Sequence, residues 1–143
     1  MAAESSATTV WEGDLASGSG VTTPQSGAFD ATDVSWASRT ERAAGKTSPE
    51  ELLAAAHASC YCMQLSHELA EAGTPPDRLE ATATVAFVPG EGVKSSRIVI
   101  SGSVPGIDQE TFAAAAASAG DGCPISGALK GNVEITVEAT LDG

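Results

Sequence analysis

Three observations predict an α+β fold. The first fifty residues alternate and turn in the manner of short strands, and an unbroken helix-forming stretch of about 23 residues follows them. The remainder runs strand, strand, helix, helix, strand, an order that segregates helices from sheets rather than repeating strand–helix pairs. With 143 residues and no internal repeat or low-complexity linker, a single domain over residues 1–143 is expected. Such a chain is large enough for a real core and small enough to gain from dimerisation. Aromatic residues make up only 4%, so the core must rest on Ala, Val, Leu and Ile.

Residues 1–9 are small and polar and are expected to fray. Trp11-Glu12-Gly13-Asp14-Leu15, followed by Gly and Ser up to Gly20, reads as a strand entering a hairpin turn. Residues 21–28 and 34–37 read as the next strands. Gly45-Lys46-Thr47-Ser48-Pro49 is a loop ending in a helix start. There Ser48 suits the N-cap, Pro49 the first helical position, and Glu50 and Glu51 oppose the positive end of the dipole. Glu51, three residues after Ser48, completes a capping-box pattern. Helix formers continue to Ala72, and Gly73 supplies the stop. At 1.5 Å per residue the helix is about 35 Å long, the width of a small domain. Rich in Ala and apolar on more than one face, it is expected to be central and buried on several sides.

After Thr74-Pro75-Pro76, residues 79–88 alternate as a half-buried strand, and residues 96–104 alternate again through Ile98 and Ile100. Asp108 is the expected N-cap of a helix with its body over residues 111–119, broken by Gly120-Asp121-Gly122. Pro124 opens a short helix to about Leu129, and residues 133–141 form the last strand.

Several functions are disfavoured by composition. A net charge of −12 argues against nucleic acid, whose phosphates need clustered Lys and Arg. No run of about 18 apolar residues offers a membrane span, and no basic segment with an apolar stretch marks a secretory leader. A cytoplasmic location is expected. In that compartment three cysteines point to redox or metal chemistry, or to inert buried thiols, rather than to a structural disulfide framework.

The cysteines sit in different settings. Cys60 lies about three turns into the long helix, with Ala56, His57, Met63 and Gln64 as its three- and four-residue neighbours. The helix dipole has faded there. A reactive Cys60 therefore needs a cation from elsewhere in the fold, and Arg39 and Arg42 are the nearest in sequence. Without one of them Cys60 is an inert thiol, and the arginines are solvated loop charges. Cys123 precedes Pro124 at a helix start, where unpaired N–H groups favour a thiolate. On local electrostatics it is the more acidic of the two; the alternative is a small apolar cap. Cys62 is turned about 200° from Cys60 on the same helix and cannot bridge to it, so it reads as packing.

Metal binding is the rival chemistry. His57 and Cys60 are at i and i+3 and Cys123 could join them, but no second Cys/His pair completes a four-ligand site. His57 and His67 lie about 15 Å apart along one helix, too far for one ion. His57 reads better as a hydrogen-bonded core histidine. Neither a nucleophile elbow nor a Gly-rich phosphate loop is present.

Taken together these motifs resemble the OsmC/Ohr family of thiol-dependent hydroperoxide reductases, specifically its OsmC branch. The likeness runs through Trp11-Glu12-Gly13-Asp14, Thr47-Ser48-Pro49-Glu50-Glu51-Leu52, Ala55-Ala56-His57-Ala58-Ser59-Cys60, Val104-Pro105-Gly106-Ile107 and Gly122-Cys123-Pro124-Ile125-Ser126. It implies antiparallel sheets around a long central helix and an intertwined homodimer with two sites at the subunit interface. It implies a peroxidatic Cys60, which becomes a sulfenic acid, and a resolving Cys123, which condenses with it to a disulfide. Arg39 matches the arginine that holds the thiolate and polarises the peroxide, and Glu50 the carboxylate that orients it. Glu50 is otherwise a plain helix-start charge. Organic hydroperoxides are the implied substrates and dithiols, including lipoyl groups on carrier proteins, the reductants, with no cofactor.

Glu50 and Cys60 are about 15 Å apart along one helix, so Glu50 must act through Arg39. The loop from Arg39 to Pro49 is about a residue longer than is usual in the family, which leaves Arg42 as an alternative. Cys62 stands where a small polar residue is common, and Ser48 replaces the usual Asn. A non-enzymatic OsmC-like module, binding a small apolar ligand or sensing oxidation through the same disulfide, is the second functional expectation.

Overall fold

The computed structural model describes residues 1–42 and 45–142; residues 43 and 44 of the Arg39–Pro49 loop, and residue 143 of the expected domain, lie outside the described residues. The chain divides into two compact units, Met1–Leu52 and Leu53–Gly143.

The first unit holds β1 (Ala7–Glu12), β2 (Ser19–Pro24) and β3 (Thr32–Val34) as a three-stranded antiparallel sheet in that order. β1 begins at Ala7, so the expected frayed segment is too long by three residues. Pairing explains this: Ala7, Thr8 and Thr9 are in register with Pro24, Thr23 and Thr22, and the Thr9 hydroxyl donates to that of Thr22 at 2.9 Å. The β1–β2 turn is built by Asp14, whose carboxylate accepts from the Ser17 N–H and hydroxyl at 2.7 and 2.6 Å. Across the sheet the Trp11 ring covers Gly20, where a Cβ would lie 2.8 Å from it.

Two expected strands are corrected. β2 ends at Pro24 rather than reaching Ala28, because the chain turns there: the Gly27 N–H donates to the Pro24 carbonyl at 3.2 Å, with Gly27 at φ +72°. The strand expected over residues 34–37 ends at Val34, and Trp36 and Ala37 belong to α1 (Trp36–Glu41). Ser35 and Ser38 cap that helix reciprocally, each side chain accepting from the other's N–H at 3.0 and 2.9 Å. Buried Ser38 also donates to the Thr47 carbonyl at 2.8 Å, tying α1 to the start of the next helix.

That helix, α2 (Pro49–Glu71), has the expected bounds almost to the residue. The Glu51 N–H donates to Ser48 Oγ at 3.0 Å, but the box does not close: the Glu51 carboxylate accepts from the Thr47 hydroxyl at 2.7 Å instead. At the other end Gly73 adopts φ +85°, and the Thr74 N–H reaches back to the Leu69 carbonyl at 2.9 Å. His57, Tyr61, Leu65 and Leu69 form one buried stripe at four-residue spacing, while Ala55, Ser59, Met63 and His67 are exposed on the opposite side. One chain thus buries one face of α2, not several.

In the second unit β4 (Arg78–Val88) and β5 (Gly92–Ser103) make an antiparallel hairpin with a bulge at Ala86/Phe87. Then come α3 (Gln109–Gly122), α4 (Pro124–Leu129) and β6 (Glu134–Leu141). β6 lies parallel to β5, so this sheet is mixed rather than wholly antiparallel. The two-helix crossover provides the connection that a parallel neighbour requires. Gln109 fixes the return, donating to the Ala139 carbonyl at 2.9 Å and accepting from the Leu141 N–H at 2.6 Å.

Asp108 caps α3, accepting from the Thr111 N–H at 2.8 Å. The helix runs through the glycines expected to break it. Pro124 ends it, excluding the helical backbone for the residue before it: Cys123 sits at φ −71°, ψ 116°. The core joins Tyr61, Leu65 and Leu69 of α2 to Ile98 and Ile100 of β5 and to Phe112, Ala116 and Ala119 of α3. The Tyr61 hydroxyl is satisfied by the Ala116 carbonyl at 2.7 Å. Cys123 belongs to the same cluster. Among the described residues no helix is long and apolar enough to cross a membrane.

Candidate active site

The Pro124 break between α3 and α4 delivers Cys123 to α2. Cys123 is at once the last cap of α3 and the N-cap of α4, where its sulfur accepts from the Ser126 N–H at 3.5 Å. It is buried, Cys60 is half-buried, and their sulfurs are 3.1 Å apart. A disulfide needs about 2.05 Å, so about an ångström of approach separates this dithiol from a bond. Both are free thiols here.

A separation this short suits either sulfur as hydrogen-bond donor, and the surroundings decide between them. Burial pushes the Cys60 thiol up; the Ile125 N–H opposes that, and the neighbouring Cys123 sulfur adds to it. Burial also works against the Cys123 thiolate. The N–H and hydroxyl of Ser126, together with Cys60 and the Ile125 N–H, outweigh it and bring Cys123 below the usual thiol range. Of the two sulfurs, Cys123 is therefore the one whose surroundings favour the anion and Cys60 the one whose surroundings disfavour it.

Cys62 packs against the core from a different side, with the Ala81 N–H directed to its sulfur and burial raising its pKa. It also lines a surface cleft with Met63, His67 and Leu79.

In the first unit Arg39 and Glu50 meet. The Arg39 Nε donates to Glu50 Oε1 at 2.8 Å, a charge-assisted bond with the carboxylate almost fully buried and the arginine about one-third exposed. Glu50 Oε2 is buried with no hydrogen-bond partner. Trp36, three residues before Arg39 on α1, places its ring 5.8 Å from the guanidinium carbon. Arg42 ends α1 in the left-handed region at φ +58° and is exposed. Of the two arginines, Arg39 is the one whose guanidinium bonds Glu50. The four expected site residues come as two pairs, Cys60 with Cys123 and Arg39 with Glu50.

His57, one turn before Cys60, is completely buried and is satisfied at both ring nitrogens: Nδ1 lies 2.6 Å from Ser96 Oγ and Nε2 2.8 Å from Ser126 Oγ. Burial lowers its pKa, keeping it neutral. It is the hydrogen-bonded core histidine expected, and with both nitrogens engaged it has no lone pair for a metal. Ser96 and Ser126, and Trp36 beside Arg39, are the site neighbours that sequence reasoning missed. Ser126 had a signal, since the third residue of a helix gives its N–H to the cap. Ser96 had one too, a hydroxyl on the buried stripe of β5 that had to find a partner.

Comparison with known proteins agrees with these motifs. A family model described as OsmC-like protein matches residues 42–138. Peroxiredoxin OsmC of Escherichia coli (strain K12) is 39% identical over 134 residues, 92% of each chain. Among solved structures, the organic hydroperoxide resistance protein OhrB of Bacillus subtilis superposes with a TM-score of 0.69 at 25% identity, covering 94% of this chain and 98% of that one. The OsmC-like protein from Mycoplasma pneumoniae gives 0.74 at 17% identity, with both chains covered completely, which speaks for the fold alone. Sequence and fold agree, and the chain belongs to the OsmC family.

Proposed function

We propose that this protein is a thiol peroxidase that reduces organic hydroperoxides to alcohols through Cys60 and Cys123. The observation that carries this is the 3.1 Å separation of two free sulfurs on different helices, one of them favoured as a thiolate. The names of the E. coli peroxiredoxin and the B. subtilis hydroperoxide resistance protein support the substrate class.

The Cys60 thiolate attacks the terminal oxygen of the hydroperoxide. The O–O bond breaks, the alkoxide leaves and takes a proton to become the alcohol, and Cys60 becomes a sulfenic acid. The Cys123 thiolate then attacks the Cys60 sulfur, the S–O bond breaks, and the departing hydroxide takes a proton to become water. A dithiol such as a protein-bound lipoyl group reduces the disulfide and is itself oxidised to a disulfide. No cofactor enters the cycle.

Arg39 is assigned the cation that ionises Cys60 and polarises the peroxide, a task for which a planar, permanently charged donor fork is suited. Glu50 orients it. The reading takes residues 1–143 as one OsmC-like domain acting as a homodimer in the cytoplasm.

The test is consumption of cumene hydroperoxide, against hydrogen peroxide, with a dithiol reductant. Wild type should turn over and Cys60→Ser should not. Cys123→Ser should react once and then accumulate Cys60 sulfinate. Undiminished turnover by Cys60→Ser would refute the mechanism, and slow disulfide formation without turnover by the wild type would favour a redox sensor.

A further inference from the structure

From the contacts that hold its guanidinium, we infer that Arg39 is set in place by Trp36, a positioning residue for the reaction: Glu50 fixes the guanidinium at a point, and the indole fixes its plane. This deepens the peroxidase reading and rests on its assignment of Arg39 as the activating cation.

Glu50 alone leaves the arginine underdetermined. Arg39 Nε donates to Oε1 at 2.8 Å, while Oε2 is buried with no hydrogen-bond partner. The pair of parallel bonds by which a carboxylate fixes both the position and the orientation of a guanidinium is therefore not made. One bond leaves the plane able to turn about the line from donor to acceptor, and a contact off that line is needed to stop it. The Trp36 ring supplies one, with the guanidinium carbon 5.8 Å over its centre. That is inside the range at which the negative face of an indole attracts a cation. A guanidinium, flat and weakly hydrated, is the cation best suited to such a face.

The backbone beneath the ring is held as well. Trp36 and Arg39 are three residues apart on α1 and so share a face. A helix of six residues does not stand by itself. Its first turn is closed by the Ser35–Ser38 box at 2.9 and 3.0 Å, with Trp36 as the first helical residue after the cap. Buried Ser38 then donates to the carbonyl of Thr47, three residues before Glu50. The ring and the carboxylate thus reach the guanidinium from two segments that are themselves bonded together. Trp36 and Arg39 are both half-buried, which strengthens their attraction over that of a fully solvated pair. Trp36 acts on the reaction only through Arg39.

The test changes the charge on the ring face and leaves its shape almost untouched. Tryptophan carrying one to four ring fluorines is placed at position 36 of the full chain, each fluorine weakening the pull of the face on a cation. Two quantities are read: exchange of the Arg39 Nε–H with water, followed by nitrogen NMR, and kcat/KM for cumene hydroperoxide. Exchange requires the bond to Glu50 to open. It should quicken with each fluorine and reach about fivefold at four, the scale of a cation–π contact at a partly exposed site. kcat/KM should fall by about the same factor, with Trp36→Leu matching the fully fluorinated ring and Trp36→Phe in between. In Arg39→Ala the same ring changes should alter the residual kcat/KM by less than about 1.5-fold, since their route is gone.

A ring that merely fills space would respond to Trp36→Leu and ignore fluorine. In a protein that turns over, either quantity standing unchanged across the fluorinated series overturns the inference. An equal fall in the Arg39→Ala background overturns it too, since Trp36 would then act by another route, as a wall of the substrate pocket. If Trp36→Leu fails to fold, the fluorinated series decides alone. Exchange that quickens with fluorine in a protein that ignores cumene hydroperoxide would sink the peroxidase reading and keep the placing of Arg39 by Trp36; normal turnover indifferent to fluorine would do the reverse.

Discussion

Cys60 and Cys123 hold their sulfurs 3.1 Å apart, and the groups around them drive the two thiols in opposite directions. Burial disfavours both anions. At Cys123 the Ser126 N–H and hydroxyl overcome it, whereas at Cys60 the Ile125 N–H does not. The neighbours of the two sulfurs therefore favour the anion at Cys123 and disfavour it at Cys60, and only a thiolate is a nucleophile. Ionising Cys60 has to be the work of a group beyond these neighbours.

Arg39→Ala is the direct check. With Cys carbons labelled and followed by NMR, Cys123 should titrate below the ordinary thiol value in both proteins, and Cys60 should titrate higher in Arg39→Ala than in the wild type. Hydroperoxide reduction should fall about 100-fold in Arg39→Ala, the scale of losing one positioned donor, and Arg39→Lys should recover little of it. Arg42→Ala should stay within about twofold. Identical Cys60 titration in Arg39→Ala and wild type would remove Arg39 from its proposed role.

Arg39 and Glu50 also make a prediction about stability that separates structure from chemistry. Removing the arginine leaves a buried carboxylate whose Oε2 already lacks a partner, and stranding such a group costs about 1–3 kcal/mol. Urea unfolding at fixed protein concentration should show that loss for Arg39→Ala. Adding Glu50→Gln removes the stranded charge and should return part of the stability with none of the activity. Recovery of turnover in the double variant would mean that Arg39 serves only to neutralise Glu50.

What was legible in the sequence was local. The bounds of α2, α3 and α4 are written within a few residues of Ser48, Gly73, Asp108 and Pro124, because caps, left-handed stops and the restriction before proline act at that range. α1 was missed because six residues carry too little periodicity, and its Ser35–Ser38 box preceded a segment that reads equally as strand. The direction of β6 was hidden as well, since alternation is the same in a parallel neighbour and an antiparallel one. The contrast between the two thiols followed from the residues; their pairing came from family resemblance. The His57 hydroxyl partners lie 39 and 69 positions away, a range at which only the folded chain can bring them together.

One glycine supports the core by what it lacks. A Cβ on Gly102 of β5 would come within 2.8 Å of two Phe112 ring atoms and of Leu79 Cδ2. The ring is fully buried and has nowhere to move. Gly102→Ala should therefore destabilise by about 1–3 kcal/mol through overpacking. At Gly122 the clash is with the end of the Gln64 side chain, which can swing aside, so Gly122→Ala should cost less. Equal midpoints for the two variants in urea would show that the Phe112 ring is free to yield.

His57 predicts how stability depends on acidity. Completely buried and hydrogen-bonded at both nitrogens, it resists protonation in the folded chain below the 6.5 expected of a free imidazole. Above pH 6.5 neither state takes the proton and nothing is lost. As the pH falls below 6.5, the unfolded chain binds it first, so stability falls until the lowered folded pKa is reached. The slope in that window is at most about 1.4 kcal/mol per pH unit from this residue. Urea titrations of the reduced protein at pH 7.5 and 5.5 (~ both on the near-neutral side of the carboxylates) should show wild type losing more stability than His57→Gln, which has no proton to gain. Equal losses would mean that the imidazole titrates in the fold as it does in the open chain, and that the two serines do not hold it neutral.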